Sequence, residues 1–136
     1  MQPSTRPDSA VRTRRRRLLI AAVLVIVVGL AVHLIGSGPV ADFAGDALYA
    51  VMIYLVIAIV FARVASWVVG AAAVVVCTLI EVFQLTGLPG VWAHAFWPVR
   101  LVLGAGFDAR DLIAYAVGAA LATVCDLILR RRRAPA

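Results

Sequence analysis

The chain of 136 residues is 64% hydrophobic, with a mean hydropathy of +1.02, a formal charge of +6 and no lysine. Soluble domains use roughly 45–50% apolar residues, so a soluble enzyme or binding domain is excluded, and the length allows one integral membrane domain. The arginines gather in two runs, Arg12 with Arg14 to Arg17 and Arg130 to Arg133, each abutting an apolar stretch. That placement argues for membrane orientation, with a secondary attraction to anionic lipid headgroups, and against nucleic-acid binding.

Residues 1–17 read as a disordered basic cytoplasmic tail, with Pro3, Ser4, Pro7 and Ser9 and almost nothing to bury. Leu18 to Ile35 is an uninterrupted apolar run, long enough to cross about 30 Å of hydrocarbon at about 1.5 Å per residue. A basic stretch before such a run also describes a secretory signal. This run exceeds the roughly 7–15 apolar residues of a signal, and no small-x-small cleavage site follows. It is read as an uncleaved first span, with Ala22, Ile26, Gly29 and His33 on the face turned toward the bundle.

Gly36-Ser37-Gly38-Pro39 breaks the chain. A short second span is expected over 46–62, with Arg63 snorkelling at its end. The third span, 65–85, places Gly70, Ala73, Cys77, Glu81 and Gln84 on one stripe, its small residues letting a neighbouring backbone approach. Thr86 to Phe107 contains Gly87, Pro89, Gly90, Pro98, Gly104 and Gly106, too many breakers for a lipid-exposed span. An interfacial or shallow re-entrant segment is expected there, with Trp92 and Trp97 at headgroup depth. The fourth span, 109–129, carries Ala114, Gly118 and Ala122 as a tight-packing face and leaves 130–136 as a second basic tail. Cys77 and Cys125 lie at different depths of the membrane domain, without metal or redox spacing, and read as small buried hydrophobes.

The expected fold is therefore all-α, a four-helix transmembrane bundle over 18–129 with an interfacial or re-entrant segment between the third and fourth helices. An even number of spans puts both termini on one side, and the arginine count makes that side cytoplasmic: the terminal runs, Arg6 and Arg63 lie inside, and only Arg100 and Arg110 outside. On this topology His33, Asp46, Glu81, Gln84, Arg100, Asp108 and Asp111 fall at the outer face. Asp126 lies at the inner end, as a local ion pair with Arg130.

Several of these residues have ordinary explanations. Asp108 is a natural N-cap for the fourth helix, Asp111 sits favourably near the positive end of its dipole, and Asp46 has the same excuse at the second helix. His33 reads as an interfacial histidine and His94 as a solvated loop residue. Glu81 is harder to dismiss, because it lies about one turn below the C-terminal, negative end of its helix. Acidic groups cost on the order of 2–3 kcal/mol at the centre of a span and less near the interface, so Glu81 requires a partner or a proton. Arg100 is the first choice of partner and Arg110 the second. Gln84 shares the face of Glu81, and Asp111, Tyr115 and Gly118 line one side of the fourth helix, so a second carboxylate and a phenol can face the first. The candidate polar site is Asp46, Glu81, Gln84, Arg100, Asp111 and Tyr115. No residue is assigned to catalysis, no cofactor is implied, and no metal-ligand spacing is present.

Gly45-Asp46-Ala47-Leu48-Tyr49-Ala50, Glu81 with Gln84, and Arg100 through Gly106-Phe107 to Asp111-Leu112, Tyr115 and Gly118 also form a pattern. It resembles an uncharacterised bacterial family of small multispanning membrane proteins known only as a domain of unknown function (DUF). The resemblance covers residues 45–118 and implies a bacterial inner-membrane location and the same fold and site. More weakly, the Glu-x-x-Gln, Arg and Asp-x-x-x-x-x-x-Gly order is similar to that of the VanZ-like proteins, whose namesake is associated with glycopeptide-antibiotic resistance. Those sequences usually carry Asn where this chain has Tyr115 or its neighbours.

Three functions compete. A non-enzymatic membrane protein would bind an envelope lipid, a lipid-linked precursor or a cationic amphiphile, with Trp92 and Trp97 holding a lid. An enzyme acting on a lipid or isoprenoid phosphate would use paired carboxylates as acid and base or to hold Mg²⁺, and Arg100 on the phosphate; no Asp-rich motif and no Ser-His or Cys-His pair supports it. A small transporter would need a homo-oligomer, and no half-repeats are visible. Membrane lipid is the expected partner.

Overall fold

The computed structural model describes residues 6–104 and 106–132, which form helices and short connections with no strand among them. In chain order they are α1 (Arg6–Ile35), α2 (Pro39–Val60), α3 (Ser66–Gln84), α4 (Leu88–Ala95), α5 (Val99–Leu103) and α6 (Asp111–Arg131). Four of them, α1, α2, α3 and α6, are long and apolar enough to cross a membrane. The segment between the third and fourth of these folds into two short helices, α4 and α5, that pack on each other and on the end of α3.

Two boundaries depart from expectation. Residues 6–17 do not form a disordered tail but extend α1 to Arg6. Arginine is a good helix former, and Arg14 is fixed by partners on other helices, described below. Residues 1–5 and 133–136 of the expected tails lie outside the described residues. The second span begins at Pro39, seven residues before Asp46. Proline at the first helical position brings its dihedral already set, and Gly38, at φ 82°, supplies the turn before it. The carbonyl of Gly38 then accepts the N–H groups of Ala41 and Asp42. Asp46 is therefore nearly two turns inside α2, and the helix-start explanation for it fails.

Helix α2 is the centre of the bundle, with α1, α3 and α6 packed around it, while α3 and α6 also pack on each other. Its inner face presents Ala50, Tyr54, Leu55 and Ala58. The stripe expected on α3 is buried, running from Ser66 through Gly70, Ala73, Cys77 and Glu81 to Gln84. On α6 the buried face is Ala114, Tyr115, Gly118, Ala119 and Asp126. Small side chains matter most where α2 meets α6: a methyl group added at Gly118 would collide with the backbone carbonyl of Ala47. Van der Waals packing and small residues drive helix association in lipid, where no hydrophobic effect separates one apolar helix from another.

Helix α1 is more loosely held, its backbone packing only on α2 among the long helices. The expected inward face is corrected, because Ile26 and His33 are exposed. Leu18, Ala21, Ala22 and Val25 make the contact instead, a face with the spacing of i, i+3, i+4 and i+7.

Candidate functional site

The polar side chains gather at the two ends of the bundle. At the end carrying the arginine runs, Asp126 of α6 is only 8% exposed. Its Oδ2 accepts from Arg14 Nη2 at 2.7 Å, Tyr54 OH at 2.8 Å and Ser66 Oγ at 2.6 Å, and Arg130 Nε stands 3.4 Å away. The expected local pair with Arg130 is thus one arm of a hub that joins α1, α2, α3 and α6. These two arginines and Arg15 close the turn from α2 to α3. Arg14 Nη1 donates to the carbonyl of Ala62, Arg130 Nη2 to that of Val64 at 2.7 Å, and Arg15 Nη2 to that of Val60 at 3.5 Å. The last carbonyls of a helix have no partner within it; Arg15 meets that of Val60 at the end of α2, and Arg14 and Arg130 those of the turn that follows.

At the opposite end Glu81 is completely buried on α3. Its Oε1 accepts the backbone N–H of Asp108 at 2.6 Å, and its Oε2 accepts Tyr115 OH at 3.1 Å. This corrects the expected partner: among the described residues Glu81 makes no ion pair with Arg100 or Arg110, and Arg100 lies exposed on α5. A buried carboxylate is tolerable when its lone pairs are taken by donors, and here an amide and a phenol take them. Glu81 therefore acts as a clasp, holding the chain that leads from α5 into α6.

Two neighbours strengthen the clasp. Gln84 Nε2 donates to the carbonyl of Leu103 at 2.9 Å, and Tyr49 OH donates to that of Val102 at 2.5 Å. Gly104, at φ 66°, lets the chain turn under the Gln84 amide, where a side chain would collide with it. The expected N-cap role of Asp108 is displaced by two residues. Arg110 occupies the N-cap position of α6, and Asp108 Oδ1 accepts the Arg110 N–H at 2.9 Å while its carbonyl accepts that of Asp111.

Beside the clasp, the carboxyl groups of Asp46 on α2 and Asp111 on α6 meet within hydrogen-bonding range, with Glu81 near enough to act on both. Both are partly exposed. Tyr115 lies against the same group, its ring 6.1 Å from that of Tyr49. One turn along α3, Gln84 is 7% exposed and its Oε1 has no hydrogen-bond partner. The fold thus brings together Asp46, Glu81, Asp111 and Tyr115, sets Gln84 at their edge, and leaves Arg100 unpaired with them. Two carboxyl groups in contact cannot both carry a free negative charge: they keep a proton between them or take up a cation. No three His, Cys, Asp or Glu side chains among the described residues converge as a set that would hold a metal ion.

Sequence reasoning missed Tyr54 and Ser66, and gave Tyr49 and Arg14 no place in the polar clusters. The argument that singled out Glu81 applied equally to Asp126, an acid in the C-terminal part of an apolar helix. The arginine four residues on concealed the need for further partners.

Four apolar helices that wrap their polar groups into two terminal clusters define a multi-pass helical membrane protein. The profile of the DUF2809 family, described as a protein of unknown function, matches residues 35–119, more than half of the chain. The chain belongs to that family. The match takes in every residue of the candidate polar site and stops before Asp126. Neither a curated protein nor a solved structure matches.

Proposed function

We propose that the protein is a non-enzymatic binding protein of the bacterial inner membrane. Its acid-rich end takes the positively charged headgroup of a membrane amphiphile. Of the ligands considered above, a cationic headgroup is favoured over a phosphate by one observation: Asp46 and Asp111, from different helices, face each other with no arginine among the described residues paired to either. A phosphate site needs its cation in place, and Arg100 makes no ion pair with Glu81, Asp46 or Asp111 among the described residues.

In this reading Asp46 and Asp111 supply the negative charge, and Gln84 Oε1 adds a neutral acceptor. Glu81 and Tyr115 hold the cover that ends at Asp108 in place. The arginine-rich ends lie in the cytosol, as the positive-inside bias requires, so the acid-rich end opens on the far side and meets lipids of the outer leaflet. Trp92 and Trp97, both largely exposed beside it, suit the interfacial depth at which such a headgroup rides.

The test is binding of a dansylated long-chain trimethylammonium to the full chain in nanodiscs of neutral lipid. Asp111→Asn and Asp46→Asn should each weaken binding about tenfold, equivalent to about 1.4 kcal/mol, with Arg100→Gln unchanged. Equal binding of a sulfonate analogue, or no loss in either aspartate variant, overturns the proposal.

A further inference from the structure

Away from the acid-rich end, the loose seating of α1 leaves a second feature. Because the backbone of α1 packs on α2 and not on α6, which it meets through the Arg14–Asp126 pair, a cleft of about 390 Å³ opens between α1 and α6, floored by α2. This lies within the roughly 300–1,000 Å³ range of ligand pockets. Its walls are apolar along most of their length, with Val25 on α1, Val51 and Leu55 on α2, and Leu121 and Cys125 on α6. Arg14, Arg17 and Arg130 stand at one end, together with Asp126. Three guanidinium groups there meet one carboxylate. Asp126 holds Arg14 and Arg130, while Arg17 stands exposed at the mouth.

We infer that this cleft binds an anionic glycerophospholipid, with one acyl chain lying between α1 and α6 and the phosphate seated among Arg14, Arg17 and Arg130. A phosphate offsets the positive charge that the single carboxylate leaves uncompensated. An apolar slot with a cationic end, beside a hub that fixes the orientation of two of its three arginines, matches a phospholipid from head to tail. A neutral lipid leaves the charge unmatched, and a helix from a second copy would have to bring its own acid to the arginine end. This site is separate from the acid-rich one in position and opposite to it in charge preference, so the two proposals stand or fall independently.

Photoactivatable phosphatidylglycerol, with a diazirine midway along one acyl chain, tests the inference on the full chain in nanodiscs, beside the matching phosphatidylcholine. Adducts should map to residues 18–25 and 121–129, at several times the yield given by phosphatidylcholine. Arg17 is exposed, and Arg17→Gln should reduce the phosphatidylglycerol yield about fivefold, the loss of about 1 kcal/mol from one arginine near the headgroup. Leu121→Trp should block the slot and abolish the adducts while leaving the Arg17 region intact. Equal yields from the two lipids, adducts scattered over all four long helices, or dimers joined through α1 with no lipid between them would each overturn it.

Discussion

Asp126 and the Asp46–Asp111 pair are carboxyl groups on helices packed against one another, yet their neighbours are opposite in kind. Asp126 is met by Arg14, Tyr54 and Ser66 as donors, with Arg130 at 3.4 Å. Asp46 is met by another carboxyl, with a third buried close by. A carboxylate whose Oδ2 takes donors from three other helices, beside an arginine of its own, is committed to fixing how the helices sit. A pair of acids without a cation carries unspent acceptor capacity, which is what binding requires. Glu81 lies between the two cases: it stands at the acid-rich end but is taken up by an amide N–H and a phenol, so its work is closer to that of Asp126.

Substitutions sharpen this contrast, and the largest effect belongs to the saturated end. Asp126→Ala leaves Arg14, Arg130, Tyr54 and Ser66 without their common acceptor. It should destabilise the bundle by about 3–5 kcal/mol, the range for breaking a buried charge pair, as measured by unfolding in mixed detergent micelles. Gly118→Ala puts a methyl group against the Ala47 carbonyl and should cost about 1–3 kcal/mol by forcing α2 and α6 apart. Glu81→Gln presents an amide N–H₂ to one of two donors, and the clasp should lose about 1–3 kcal/mol. Its signature is local: amide hydrogen exchange at Asp108 rises before that of the α2 core. Arg100→Gln is the smallest, within about 0.5 kcal/mol, as expected for an exposed surface change. A large loss in that variant would restore the Glu81–Arg100 pair that the structure replaces.

Helix number, the α3 stripe and the importance of Glu81 were legible because apolar length, helical spacing and the cost of an acid in lipid are written in local sequence. The partners were not. Arg100 was a reasonable cation for Glu81, but its place on a short helix between two breakers, Pro98 and Gly104, is set by how the 86–107 segment folds. That segment delivers the Asp108 amide instead. Backbone donors carry no sequence signal at all, so a clasp of this kind is invisible until the chain path is known. Asp46 was misread for a different reason: Gly45-Asp46 looks like a helix start, while Pro39 starts the helix earlier. The Asp126 hub depends on an arginine 112 positions away, and the helical extension that carries Arg14 looked like a polar tail.

The contrast between a saturated end and an unsatisfied one is tested most directly by measuring stability and binding together in two asparagine variants. In neutral-lipid nanodiscs, Asp111→Asn should keep the unfolding midpoint of the parent protein and bind the dansylated trimethylammonium about tenfold more weakly. Asp126→Asn should lower the midpoint sharply, while the fraction that remains folded binds the probe as the parent does. If instead Asp111→Asn unfolds the bundle with binding unchanged in what survives, or Asp126→Asn abolishes binding without loss of stability, the roles assigned to the two ends are wrong.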